Sequence, residues 1–211
     1  MTRPAAGGFT HMKKALTHLK RDPVLAAIIE RVGPYSVQYR EPVFHTLVSS
    51  ITYQQLSGKA AATIFGRLLT AAKADPLTPE SILKLRPARM RALGLSGQKM
   101  EYIRTLARMT RDSDVDFERL AELDDDGVIA HLTRVKGVGV WTAQMFLIFA
   151  LRRPNVLPTG DLGVRAAMMK AYNLAELPKP AEMVQLAAPW HPYCSVATWY
   201  LWRSLGGEAA I

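Results

Sequence analysis

Apolar residues recur at intervals of three and four, rather than two, along nearly every long segment of the chain, and no convincing alternating strand interrupts that spacing. A period near 3.6 is that of a helix burying one face, so the pattern predicts an all-α protein. Helices are expected over about 11–21, 22–32, 41–56, 58–73, 79–85, 87–93, 97–111, 116–122, 124–135, 140–152, 161–172, 179–187 and 193–205. Asp22-Pro23, Thr78-Pro79 and Pro180 put proline where a first helical turn tolerates it. Gly33-Pro34, Gly94 and Gly97 read as stops or turns, and Ser57-Gly58 reads as the stop of the 41–56 helix. Residues 1–9 read as frayed. No low-complexity linker and no repeat marks a clean boundary, so two lobes, if formed, are interwoven.

Composition narrows the partner. The 27 Lys and Arg against 18 Asp and Glu give a net charge of +9, which favours an anionic partner such as nucleic acid. With Cys194 the single cysteine, there is no intrachain disulfide, no Cys-based zinc cage and no four-cysteine iron–sulfur cluster. The first ten residues lack the apolar core of a signal peptide, and no apolar run approaches the ~20 residues that span a bilayer. The expectation is a cytoplasmic protein without a membrane partner.

Residues 124–152 read as two helices around a glycine hairpin: DDDGVIAHLTRV, then KGVG, then VWTAQMFLIFALR. Asp124, Asp125 and Asp126 suit the positive end of the first helix as solvated charges, and Val128, Leu132 and Val135 form its apolar stripe. Gly137 and Gly139 permit positive φ and remove the Cβ atoms that would hold a phosphate away, where the second helix presents its unpaired N–H groups. An ordinary helix–turn–helix corner is the alternative; the basic charge and Lys136 beside the hairpin weigh against it. Asp161, after Pro158-Thr159-Gly160, reads either as a helix cap or as a fixed carboxylate able to stabilise positive charge building on a sugar.

Four segments carry a family resemblance: LTRVKGVGVWTA at 132–143, LPTGDLGVR at 157–165, SITYQQLSGKAA at 50–61 and ATWYLWR at 197–203. In order and spacing, from about residue 41 to 205, they resemble the alkylbase (3-methyladenine) glycosylases of the helix-hairpin-helix DNA glycosylase superfamily. The resemblance implies two interwoven helical lobes, 1–41 with 153–211 and 42–152, with the catalytic cleft between them. With about forty residues before the matching region, no N-terminal β domain is expected.

By the same resemblance Asp161 is the catalytic carboxylate, and the hairpin (Lys136, Gly137, Val138, Gly139, with Thr142) grips a phosphate of double-stranded DNA. No cofactor is required; a structural Na+ or K+ would be held by the carbonyls of Thr133, Val135 and Val138. Trp141, Trp202, Tyr53 and Met145 would line the base pocket, with Trp190, Tyr193 and Trp199 as looser candidates. A cationic alkylated purine attracts electron-rich aromatic faces. Gln55 holds the intercalating position, with Gln54 and Leu56 alongside, and the choice between Gln55 and Leu56 stays open.

Members that also cut the strand carry a lysine where this chain has Trp141, and a Schiff base requires an amine. The resemblance therefore implies a monofunctional, monomeric glycosylase that excises alkylated purines and leaves an abasic site. Departures are Cys194, where many relatives carry arginine, and Met145, where they carry an aromatic. A non-catalytic helix-hairpin-helix DNA-binding module would need neither Asp161 nor the indoles, and a glycosylase for deaminated or mismatched bases would share them. A zinc nucleobase deaminase lacks support without paired cysteines.

Overall fold

The computed structural model describes residues 6–206, with side chains from position 12 onward. Its helices are α1 (Ala6–Leu19), α2 (Pro23–Val32), α3 (Phe44–Tyr53), α4 (Gly58–Ala72), α5 (Pro79–Leu83), α6 (Pro87–Ala92), α7 (Gly97–Arg111), α8 (Asp125–Leu132), α9 (Val140–Phe149), α10 (Leu162–Ala171), α11 (Pro180–Ala187) and α12 (Cys194–Ser204). Turns of 3-10 helix lie at Arg119–Ala121 and Ala188–Trp190, and no strand is present among the described residues.

Where expectation and structure differ, local hydrogen bonding is the reason. The first helix starts at Ala6, so residues 6–9 are helical rather than frayed, while residues 1–5 lie outside the described residues. Ser57-Gly58, read as a stop, stands at the start of the helix expected from 58: the Ser57 hydroxyl accepts from Ala60 N–H at 3.4 Å and caps α4. Gly97 likewise opens α7, over the range expected, behind a Ser96 cap on Lys99 N–H at 3.2 Å. The helix expected over 116–122 shrinks to a 3-10 turn at Arg119–Ala121, ahead of which the Asp116 carboxylate accepts from Glu118 and Arg119 N–H.

The described residues form two compact units, one running up to Gln38 and resuming at Arg153, the other spanning Tyr39–Arg152. Tyr39, placed with the first lobe on sequence, falls in the second unit, where the Arg152 guanidinium lies 5.2 Å from its ring centroid. In the first unit α1, α2, α10, α11 and α12 enclose a core that includes Leu19, Leu25, Met168, Met183, Trp190 and Tyr200. Asp22 joins three of its parts: it caps α2 through Val24 and Leu25 N–H and accepts from Tyr172 Oη and Trp190 Nε1. In the second unit Leu47, Ile51, Leu68, Ile103, Leu106 and Leu132 are fully buried. Its α9, apolar on all sides, is buried from Met145 through Phe149, as an all-round hydrophobic helix must be. No described helix is long and apolar enough to cross a membrane.

Candidate active site

Candidate residues occur in both units, and each unit holds its own by local packing and hydrogen bonds. In the second unit, α8 ends at the Thr133 cap and α9 begins at Val140 with Gly139 as its N-cap, so 133–139 form the hairpin. Val128, Leu132 and Val135 are fully buried, anchoring its first arm. Gly137 has φ +90, and a Cβ added there would lie 2.1 Å from the Tyr102 ring, so two independent constraints require glycine. Gly139 has nothing within 4 Å of an added Cβ, so that side of the loop is open. Lys136 is exposed beside it. The Val135 carbonyl accepts from Val138 N–H at 2.9 Å, which leaves it a lone pair; with the Thr133 and Val138 carbonyls it fits the chemistry of a monovalent-cation site.

The turn after α3 leans on this hairpin. The Gln54 side-chain amide donates to Gly137 O at 3.0 Å and to Thr142 Oγ1 at 3.3 Å, so its N–H2 group faces the protein. Gln54 has φ −51 and ψ 132, Gln55 has φ +54, and Leu56 N–H closes the turn on Tyr53 O at 3.3 Å. That is a type II turn with a non-glycine at the position that favours glycine. Gln55 is exposed and Leu56 is 39% exposed, so both present side chains at the tip. Lys99 on α7 donates to Thr52 O at 2.8 Å and Gln54 O at 2.5 Å, and its burial lowers its pKa.

In the first unit the carboxylate of Asp161 caps α10. Its Oδ1 accepts from Val164 N–H at 2.7 Å and from the Trp202 indole N–H at 2.9 Å, and the residue is 7% exposed. Gly163 makes room for the pair, since an added Cβ would lie 3.1 Å from Asp161 Oδ1 and 3.2 Å from Trp202 Cδ1. Ser195, one helical face back along α12, steadies the loop that leads to Asp161: its hydroxyl donates to Arg153 O at 2.6 Å and accepts from Val156 N–H at 2.9 Å.

The aromatic candidates separate by environment. Trp141, at the start of α9, is 41% exposed. Trp202 is half-buried, and its N–H holds the carboxylate, a role not anticipated from sequence. Tyr53 is half-buried against Phe65, whereas Met145 is 4% exposed and sits in the core. Trp190 and Trp199 are core residues: Trp190 is fully buried with its N–H on Asp22, and Trp199 packs 4.7 Å from Tyr35. Tyr193 meets His18 edge-on at 5.4 Å. Burial pushes the Cys194 thiol up to about 12, so this residue is a neutral core side chain.

Residues 48–192 match the HhH-GPD superfamily base excision DNA repair protein model, and the chain belongs to that family. DNA-3-methyladenine glycosylase 1 of Schizosaccharomyces pombe is 32% identical over 202 residues, covering 92% of this chain and 88% of that protein. The crystal structure of a DNA-3-methyladenine glycosidase from Bacillus halodurans superposes with a TM-score of 0.80 at 35% identity, covering 90% of this chain and 88% of that one. A Schizosaccharomyces pombe 3-methyladenine DNA glycosylase (Mag1) in complex with abasic DNA gives a TM-score of 0.80 at 30% identity, covering 94% and 98%. An 8-oxoguanine glycosylase/lyase from Clostridium acetobutylicum, 15% identical with a TM-score of 0.75, shares the fold alone.

Proposed function

We propose that the protein is a monofunctional DNA glycosylase that excises alkylated purines of the 3-methyladenine and 7-methylguanine type from duplex DNA, acting as a cytoplasmic monomer. The observation that carries this reading is the fixing of Asp161 by a backbone N–H and an indole N–H, on a chain of this family with Trp141 in place of an amine. Loss of the base breaks the N-glycosidic bond, sends its electron pair to the purine and leaves positive charge on the deoxyribose. A fixed carboxylate stabilises that charge and orients the water that adds to C1′. A cationic purine departs as a neutral base, so the chemistry asks little of an acid.

The other residues serve binding. Backbone N–H groups of the hairpin hold a phosphate, and a Na+ or K+ ion held by the Thr133, Val135 and Val138 carbonyls would add positive charge there. The Trp141 face offers a wall for the flipped cationic base. The turn at Gln55 and Leu56 fills the gap that flipping leaves.

The test is a duplex carrying one methylated purine, within a panel that includes deaminated and mismatched bases. Release of the methylated base with the strand left intact until alkali is added is the expected outcome. Strand cleavage without alkali, or a borohydride-trapped covalent adduct, contradicts the monofunctional assignment. Release only from deaminated or mismatched pairs moves the substrate class, and no release from any lesion leaves a DNA-binding module.

A further inference from the structure

We propose that Lys99 is a positioning residue that holds the Gln54–Gln55 peptide in its type II orientation and thereby aims the tip of the turn at DNA. The proposal rests on the reading of that turn as the element that fills the gap. Types I and II differ by a flip of the central peptide, and type II demands positive φ at the third residue, where glycine or asparagine is favoured. Gln55 is neither, yet it has φ +54, so an outside contact must favour that orientation.

The Lys99 ammonium reaches the flipped carbonyl, its Nζ 2.5 Å from Gln54 O, with a second bond to Thr52 O at 2.8 Å. These oxygens lie at the carbonyl end of α3, where a helix has unsatisfied acceptors and a partial negative charge. The usual closure by a left-handed glycine is absent, and the ammonium takes its place. Tyr102, one turn further along α7 and on the same face, packs beneath Gly137. A single helix therefore seats both the turn and the phosphate-gripping hairpin, and Gln54 ties the two through Gly137 O.

Three variants test this: Lys99→Met, Lys99→Arg and Lys99→Met combined with Gln55→Asn. Each is measured for single-turnover excision, for affinity to undamaged duplex, and for 2-aminopurine emission beside an abasic analogue, a signal that reports unstacking without any chemistry. Lys99→Met should slow excision about tenfold, and weaken the emission change, with affinity for undamaged duplex within about twofold. Lys99→Arg should restore both, and Gln55→Asn should recover part of the loss, because asparagine accepts positive φ more readily. A Lys99→Met protein that excises and unstacks like wild type overturns the proposal. So does one that loses affinity for undamaged duplex in equal measure, the mark of a merely structural lysine. If wild type unstacks DNA but releases no base, the enzymatic reading fails and the emission arm still decides the role of Lys99.

Discussion

Two aspartates of the same unit stand at helix starts, and each receives an indole N–H at 2.9 Å, yet their surroundings differ in kind. Around Asp22 the donors divide between both oxygens: Val24 and Leu25 N–H on Oδ1, Tyr172 Oη and Trp190 Nε1 on Oδ2. The partners are core groups from three elements, so this carboxylate knits the unit together. Around Asp161 the Val164 N–H and the Trp202 indole converge on Oδ1, and the residue follows a loop tied down by Ser195. The same capping chemistry thus joins core groups of three elements around Asp22 and ties α10 to α12 through Asp161 Oδ1.

The largest expected effect of breaking this comparison is on stability at Asp22. Asp22→Ala leaves the Tyr172 and Trp190 donors without their acceptor and removes the α2 cap, a loss of about 2–4 kcal/mol in denaturant unfolding. Excision per folded molecule should be unchanged. Burial alone would raise the Asp22 pKa, but the bonds from Tyr172, Trp190 and two backbone N–H groups hold it below the ordinary carboxylate value. The folded state therefore takes up the proton less readily than the unfolded chain. The stabilisation is full above roughly pH 4 and is lost as pH falls through the lowered folded value. Asp22→Asn should flatten that acid limb in a pH series of unfolding midpoints.

Trp202→Phe makes the complementary break. The ring remains but the donor to Asp161 is gone, so single-turnover excision should fall about tenfold while the unfolding midpoint moves little. A loss of stability with unchanged excision would make Trp202 a second Trp190. Gly163→Ala gives the smallest effect: its Cβ would crowd Asp161 Oδ1 and Trp202 Cδ1 at 3.1 and 3.2 Å, and excision should drop about twofold to fivefold with the fold intact.

Much of the fold was legible in the chain because periodicity and capping residues act locally. Asp22-Pro23 and Thr78-Pro79 start helices as expected, with both side chains accepting from the first turn. The helices expected from 58 and 97 start at Gly58 and Gly97; reading Ser57-Gly58 and Gly97 as stops or turns missed that the serine hydroxyl before each glycine caps the helix that follows. The hairpin was legible through motif order, and Asp161 opens α10 as its place after Pro158-Thr159-Gly160 suggested. The Lys99 bonds to Thr52 and Gln54 were not, since no local pattern says which carbonyl a lysine some forty-five residues away will find. Trp202 was expected to offer its ring; which edge of an indole meets a carboxylate depends on the packing of α10 against α12.

The most direct measurement of the central claim is single-turnover base release from methylated duplex by Asp161→Asn. The amide keeps an oxygen for Val164 and Trp202 N–H and preserves the cap, but carries no charge. Release should slow by about a hundredfold or more, with duplex affinity and unfolding midpoint held. Release at the wild-type rate would contradict the account and return Asp161 to the same standing as Asp22.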